Sequence, residues 1–127
     1  MSTPATTPKA TFHHWSDVPR EQVNAALGRR LVTAERIMLA HVDLQKGCVV
    51  PRHAHVHEQV SYVLGGHLRL TVGEDGAEVY DLRSGDVVVV PSNVPHAAVA
   101  VEDTTVLDVF SPPREDWING TDAYLRR

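Results

Sequence analysis

An all-β barrel or sandwich is the fold class this sequence predicts, and three observations predict it. Short runs rich in Val, Leu, Ile and Tyr fill the chain from residue 31 to 110. Turn signals break those runs at intervals of about 8–12 residues, the rhythm of a sandwich or barrel. The length, 127 residues, suits one core without an internal linker or repeat.

In chain order, residues 1–12 (MSTPATTPKATF) show no period and are expected to form a tail, leaving 13–127 as a single domain. In 15–30, Trp15, Val18, Val23 and Leu27, with Asp17 and Pro19 as a start signal, predict one short helix or turn. Strands are expected at 31–46 (broken once), 49–55, 59–64, 67–73, 77–82, 86–91, 96–101 and 104–110. Gly65-Gly66 and Asp75-Gly76 read as two-residue hairpin turns, and Ser84-Gly85 and Ser92-Asn93 as two further turns. The four consecutive valines at 87–90 read as a strand buried on both faces. After Pro112-Pro113 a turn of helix and a tail are expected.

Composition narrows the function classes. The net charge is −4 with no basic stripe, which argues against nucleic acid. No apolar run approaches the ~20 residues of a membrane span and no signal-peptide core follows Met1, so a cytoplasmic protein is expected. The lone Cys48 is expected to be a small buried packing residue and not a nucleophile.

Five of the eight histidines (His53, His55, His57, His67 and His96) crowd the middle of the chain. His53 and His55 share one face of a strand about 6.6 Å apart at the backbone, and two imidazoles at that separation converge on one ion with bonds of about 2.0–2.1 Å. Gln59 shares their parity, but an extended chain would carry it about 20 Å from His53. The chain must therefore turn at 56–58 and return, bringing Gln59 opposite His55 and leaving His57 at the turn, outside the site. His96, entering from the Pro91-Ser92-Asn93 turn, is the expected fourth ligand. Three imidazoles and an amide oxygen suit one divalent first-row transition metal ion such as Ni, Fe, Mn or Zn. His67, directly after Gly65-Gly66, is expected to face solvent.

These residues resemble the cupin superfamily. Its first motif reads here as Gly47, five residues, His53-Ala54-His55, three residues, Gln59, six residues, Gly66. The second reads as Gly85, five residues, Pro91-Ser92-Asn93, two residues, His96, three residues, Ala100. Gln59 stands where the family usually has Glu, Asn93 where it has Gly, and Ala100 where it has Asn; Asn tolerates the positive φ that position requires. The resemblance implies a cupin double-stranded β-helix (jelly-roll barrel) with short N- and C-terminal extensions.

Within that superfamily the chain resembles small single-domain proteins of the KdgF type, through the metal motif and the segment Asp108-Val109-Phe110-Ser111-Pro112-Pro113-Arg114. The resemblance implies ring opening or isomerisation of 4,5-unsaturated uronates, with Asp108 as acid/base, Phe110 shaping the pocket and Arg114 clamping the substrate carboxylate. On a strand 104–110, Val106, Asp108 and Phe110 share one face, and an acid between two inward apolar positions is rare unless paired or functional. The alternatives are that Asp108 only hydrogen-bonds loop backbone and that Arg114 pairs with Glu115 or Asp116 on the surface. The charges of the metal and Arg114 are expected to outweigh burial and keep Asp108 ionised. Two other functions stay open: an iron- or copper-dependent dioxygenase of a small diketone or phenol, and a non-catalytic metal or small-ligand sensor. The expected partners are a small-molecule carboxylate and a second copy of the chain, a homodimer formed because the strand near 31–46 would otherwise leave an exposed edge.

Overall fold

The computed structural model describes residues 7–126. Ten strands make up two antiparallel sheets: β1 (Glu21–Asn24), β2 (Leu27–Thr33), β3 (Met38–Leu44), β4 (Val49–His53), β5 (Glu58–Gly65), β6 (His67–Val72), β7 (Glu78–Arg83), β8 (Val87–Val90), β9 (His96–Ala100) and β10 (Thr104–Ser111). A six-stranded sheet runs β1-β2-β3-β10-β5-β8 and a four-stranded sheet runs β4-β9-β6-β7. From β3 onward every connection but one carries the chain from one sheet to the other. The core lies between the sheets. Strand β3 shows how period-2 alternation fills it, with Met38, Ala40, Val42 and Leu44 all buried while the residues between them look outward. Cys48 is buried, as expected of a packing residue, and burial pushes its thiol pKa up.

Several local expectations fail for identifiable reasons. The short helix or turn expected in 15–30 is a single 3-10 turn at Trp15–Asp17, and the rest of that span enters a β1–β2 hairpin the sequence did not announce, whose turn is closed by Asn24 Oδ1 accepting from the Ala26 N–H at 2.8 Å. In that hairpin β1 pairs only with Leu27–Arg29 of β2, so β3 is interior to the sheet while Leu31–Thr33 keeps an outer edge with no strand partner. The Gly65-Gly66 pair is a corner between sheets and not a hairpin turn. A Cβ on Gly66 would lie 2.2 Å from the Asp103 carbonyl, so the corner needs glycine for space as well as for its φ of 94°. Asp75-Gly76 does sit in a hairpin, between β6 and β7, but within a loop spanning 73–77 and not as a two-residue turn. The corner explains why His67 is buried and not solvent-facing: its N–H donates to Thr104 Oγ1 (3.1 Å) and its Nε2 lies 2.7 Å from Asp81 Oδ1. The valine strand β8 is an edge strand, with Val87 and Val89 more than half exposed; a run of four valines looks the same whether one face or both are covered.

The expected C-terminal tail, after the helical turn α1 (Glu115–Asn119), instead packs back on the barrel. Trp117 and Leu125 are buried. Arg29, wholly buried, lies 2.7 Å from Asp122 and 3.0 Å from Glu21, and Arg126 reaches the same two carboxylates at 2.7 and 2.9 Å. The segment expected at 1–12 belongs to no element over 7–12 and otherwise lies outside the described residues. No helix among the described residues is long and apolar enough to cross a membrane.

Candidate metal centre

Strand β4 ends at His53, two residues before the expected strand end, and the chain bends at Val56-His57 before returning as β5. His53 pairs in register with His96, the first residue of β9. The bend into β9 passes through Asn93, which takes the left-handed φ of 65° that its place in the motif requires. His55 leans in from the loop. The three rings gather with centroids 4.3 Å (His53–His96), 5.0 Å (His55–His96) and 5.5 Å (His53–His55) apart, and one nitrogen from each lies within 4.8 Å of the others. His57 stays at the bend, half-buried and outside this cluster.

Hydrogen bonds fix which nitrogen each ring presents. His53 Nδ1 lies 2.8 Å from the Pro51 carbonyl, His55 Nδ1 3.0 Å from the His57 carbonyl and His96 Nδ1 2.8 Å from the Val94 carbonyl. A carbonyl only accepts, so all three Nδ1 atoms carry the proton and all three Nε2 atoms present a lone pair. The His96 Nε2 is buried with no protein partner. Burial holds the pKa of His53 and His55 down at about 4 and lowers that of His96, so the imidazoles are neutral at physiological pH.

Gln59 arrives on β5 with Oε1 3.1 Å from His55 Nε2. With the His55 proton on Nδ1, two acceptors face each other there, an arrangement a shared cation resolves. The donor set of three imidazole lone pairs and an amide oxygen therefore fits a divalent first-row metal ion, and His53, His55, His96 and Gln59 are the residues that could hold it.

A cavity of about 70 Å³ inside the barrel is lined by His53, His96 and Gln59 and also by Ser61, Asp108, Arg114 and Tyr124. Asp108 lies on the cavity wall between Val106 and Phe110, both buried, as strand parity required. Its Oδ1 accepts from Ser61 Oγ and not from loop backbone. Burial pushes its pKa up from 3.8 to about 6, more than the Ser61 hydrogen bond and the Arg114 charge pull it down. The expectation that charge outweighs burial is thus reversed for the protein chain itself, although a carboxyl at about 6 is still mostly ionised at neutral pH.

Arg114 departs further from expectation. It is buried, not on the surface, yet it does pair with Asp116: Nε donates to Oδ1 at 3.0 Å and Nη2 to Oδ2 at 2.8 Å, with a second Nη2 bond to the Tyr124 hydroxyl at 2.9 Å. The forked edge needed for a two-point carboxylate clamp is occupied, and only Nη1, buried without a partner, is free. Phe110 lies edge-on to His55 at 5.8 Å and under the Arg114 guanidinium at 5.0 Å.

Two residues of the site went unread in the sequence. Tyr124 stacks on His53 with centroids 4.3 Å apart, brought there by the C-terminal segment whose packing no local pattern announces. Ser61 was within reach: on β5 it shares the inward parity of Gln59, and a serine two residues after a ligand is a signal.

Residues 40–110, more than half of the chain, match the Cupin domain family. The chain belongs to that family. Among solved structures, this cupin is similar to KdgF from Halomonas sp. (29% identity, TM-score 0.79, covering 86% of this chain and 99% of that one). It is equally similar to an RmlC-like cupin from Shewanella frigidimarina (33% identity, TM-score 0.78, covering 86% and 96%). Oxalate decarboxylase from Bacillus subtilis matches at 25% identity and TM-score 0.69, this chain spanning 31% of that longer one. An uncharacterised protein of Streptomyces coelicolor is 37% identical over 71 residues, which span 55% of this chain and 65% of that protein, slightly less than two thirds.

Proposed function

We propose that this cupin is a metal-dependent enzyme of KdgF type that opens or isomerises 4,5-unsaturated uronates. The observation that carries the reading is Asp108, a carboxylate held inside an apolar barrel and lining one cavity with His53 and His96 of the three-histidine cluster. A structural carboxylate there would be paired with a cation or bound to backbone; this one has a single hydroxyl donor and a free Oδ2. With a pKa of about 6 it can take a proton from a sugar hydroxyl and return it to the ring carbon near neutral pH. A divalent ion on His53, His55, Gln59 and His96 would supply Lewis acidity toward the substrate oxygens. The uncharged ligand set leaves that ion's charge unneutralised, which favours an anionic substrate. Arg114 adds positive charge and one donor, Nη1, for a substrate carboxylate oxygen. Phe110 and Tyr124 shape the wall beside the imidazoles.

The test is turnover of a 4,5-unsaturated uronate by the metal-loaded protein without oxygen, followed by loss of the enol-ether absorbance. Conversion well above the spontaneous rate, lost in Asp108→Asn by about 10²–10⁴-fold, is the expected result. Turnover only with oxygen present would move the dioxygenase reading ahead, and no turnover with saturating metal would favour a ligand-binding protein.

Pairing with a second copy of the chain belongs to the same proposal, on a different surface from the strand near 31–46. The outer face of the six-stranded sheet exposes Tyr62, Leu64, Val87 and Val89, with Tyr62 and Val87 directly opposite each other in register. Side chains of this kind on one sheet face are the composition of a packing surface.

A further inference from the structure

We propose that Ser61, held by Asp108, is a positioning residue that fixes the amide orientation of Gln59 and so makes its oxygen a metal ligand. The inference rests on His53, His55, Gln59 and His96 being the metal ligands.

The need for such a device is intrinsic to glutamine. A glutamate offers an oxygen whichever way its carboxylate turns, whereas an amide offers an oxygen in one orientation and an NH2 group in the other. An NH2 group turned toward a cation is repelled by it. Something must therefore choose, and inside the barrel bulk water cannot: Gln59 is 9% and Ser61 4% exposed.

The hydrogen bonds supply the choice. Gln59 Nε2 lies 2.9 Å from Ser61 Oγ, and Ser61 Oγ contacts Asp108 Oδ1. An ionised carboxylate only accepts, so the single Ser61 proton goes to Asp108. The Ser61 oxygen can then only accept from Gln59, which must turn its NH2 toward Ser61 and its oxygen away, toward His55 Nε2 at 3.1 Å. The sheet lattice holds the chain of contacts in place. Gln59 and Ser61 are alternate residues of β5, both facing in, and Asp108 on β10 is the register partner of Ser61. Asp108 thus has a task separate from proton transfer: with one oxygen it orders Ser61, and the other makes no hydrogen bond to the protein.

The experiment compares wild type, Ser61→Ala, Gln59→Glu, the Ser61→Ala/Gln59→Glu double variant and His53→Ala, each stripped of metal and titrated with Co(II) against a competing chelator. The visible Co(II) bands report the ligand set directly. Ser61→Ala is expected to weaken Co(II) binding by about 10–100-fold, the usual effect of removing a partner that orients a metal ligand, and to shift the bands. In the Gln59→Glu background the same serine change should cost clearly less than in the wild-type background, because a carboxylate needs no orienting. Equal losses in both backgrounds would mean Ser61 acts only by packing and would overturn the relay. Ser61→Ala binding as tightly as wild type while His53→Ala binds weakly would also overturn it and leave the metal site standing. His53→Ala binding like wild type would overturn the metal site itself, and the relay with it.

Discussion

Replacing Asp108 by Asn should stabilise the metal-free protein at neutral pH and leave its stability almost unchanged in acid. An unfolded chain holds this carboxyl near 3.8, and the folded barrel holds it at about 6, because burial penalises the charged form more than Ser61 and Arg114 favour it. Between those two values the folded state binds more protons than the unfolded state, so stability falls as pH rises through the window. The contribution of Asp108 is fully present below about 3.8 and lost above about 6. Moving a carboxyl over that interval corresponds to about 3 kcal/mol, an upper figure since Asp108 borders the cavity and part of its charge is solvated. Asn keeps the shape and can still accept from Ser61, but it carries no charge to desolvate. Urea denaturation of the chelator-treated wild type and Asp108→Asn at several pH values from 4 to 8 measures the difference. The variant should gain on wild type by about 1–3 kcal/mol between the acid and neutral ends. A difference that does not change with pH, or a wild type that gains on the variant as pH rises, would refute the placement of Asp108 as a desolvated carboxylate.

His53→Ala and His96→Ala should lose tight metal binding with the barrel still folded, and His57→Ala should retain the metal; elemental analysis with circular dichroism tests this, and wild-type metal content in either of the first two would contradict the site. Asp122→Ala leaves the wholly buried Arg29 guanidinium short of its 2.7 Å partner, so a loss of about 3–5 kcal/mol in urea denaturation is expected, and a loss below about 1 kcal/mol would show that Glu21 alone satisfies Arg29. Light scattering should find a dimer at micromolar concentration for wild type and a monomer for Tyr62→Glu/Val87→Glu; a monomeric wild type would refute pairing through the six-stranded sheet.

The parts of the molecule legible in the sequence are those fixed by short-range geometry. Parity and chain reach are enough to place His53, His55 and Gln59 together, because the distance an extended strand covers forces the bend that is found at Val56-His57. The parity of Val106, Asp108 and Phe110 likewise puts the carboxylate on the inner face. What failed depends on which sheet a strand joins. The valines of β8 and the glycines at 65–66 carry the same local signal in an edge strand as in a buried one, and at a sheet corner as in a hairpin. His67 was misplaced for that second reason. The C-terminal segment was the least legible: Arg29, Glu21, Asp122 and Arg126 meet across about a hundred residues of chain, and nothing in the local pattern pairs them. The same packing brings Tyr124 onto His53, whereas the Asp116 partner of Arg114, two residues away, was among those the sequence offered.

The glutamine at 59 and the aspartate at 108 make sense as one arrangement. The usual glutamate at this place in the motif would put a second carboxylate on the far side of the Ser61 hydroxyl from Asp108. One hydroxyl proton cannot serve both acids, and two like charges across a single buried oxygen would drive one of them to protonate. With an amide at 59, the only carboxylate in this stretch of the wall is Asp108, which can stay ionised and face the cavity. The negative charge that many cupins would place on a metal ligand sits here two hydrogen bonds away. In that position it leaves the ligand set neutral, orders the ligand through Ser61 and keeps an oxygen free to exchange a proton with whatever enters the barrel.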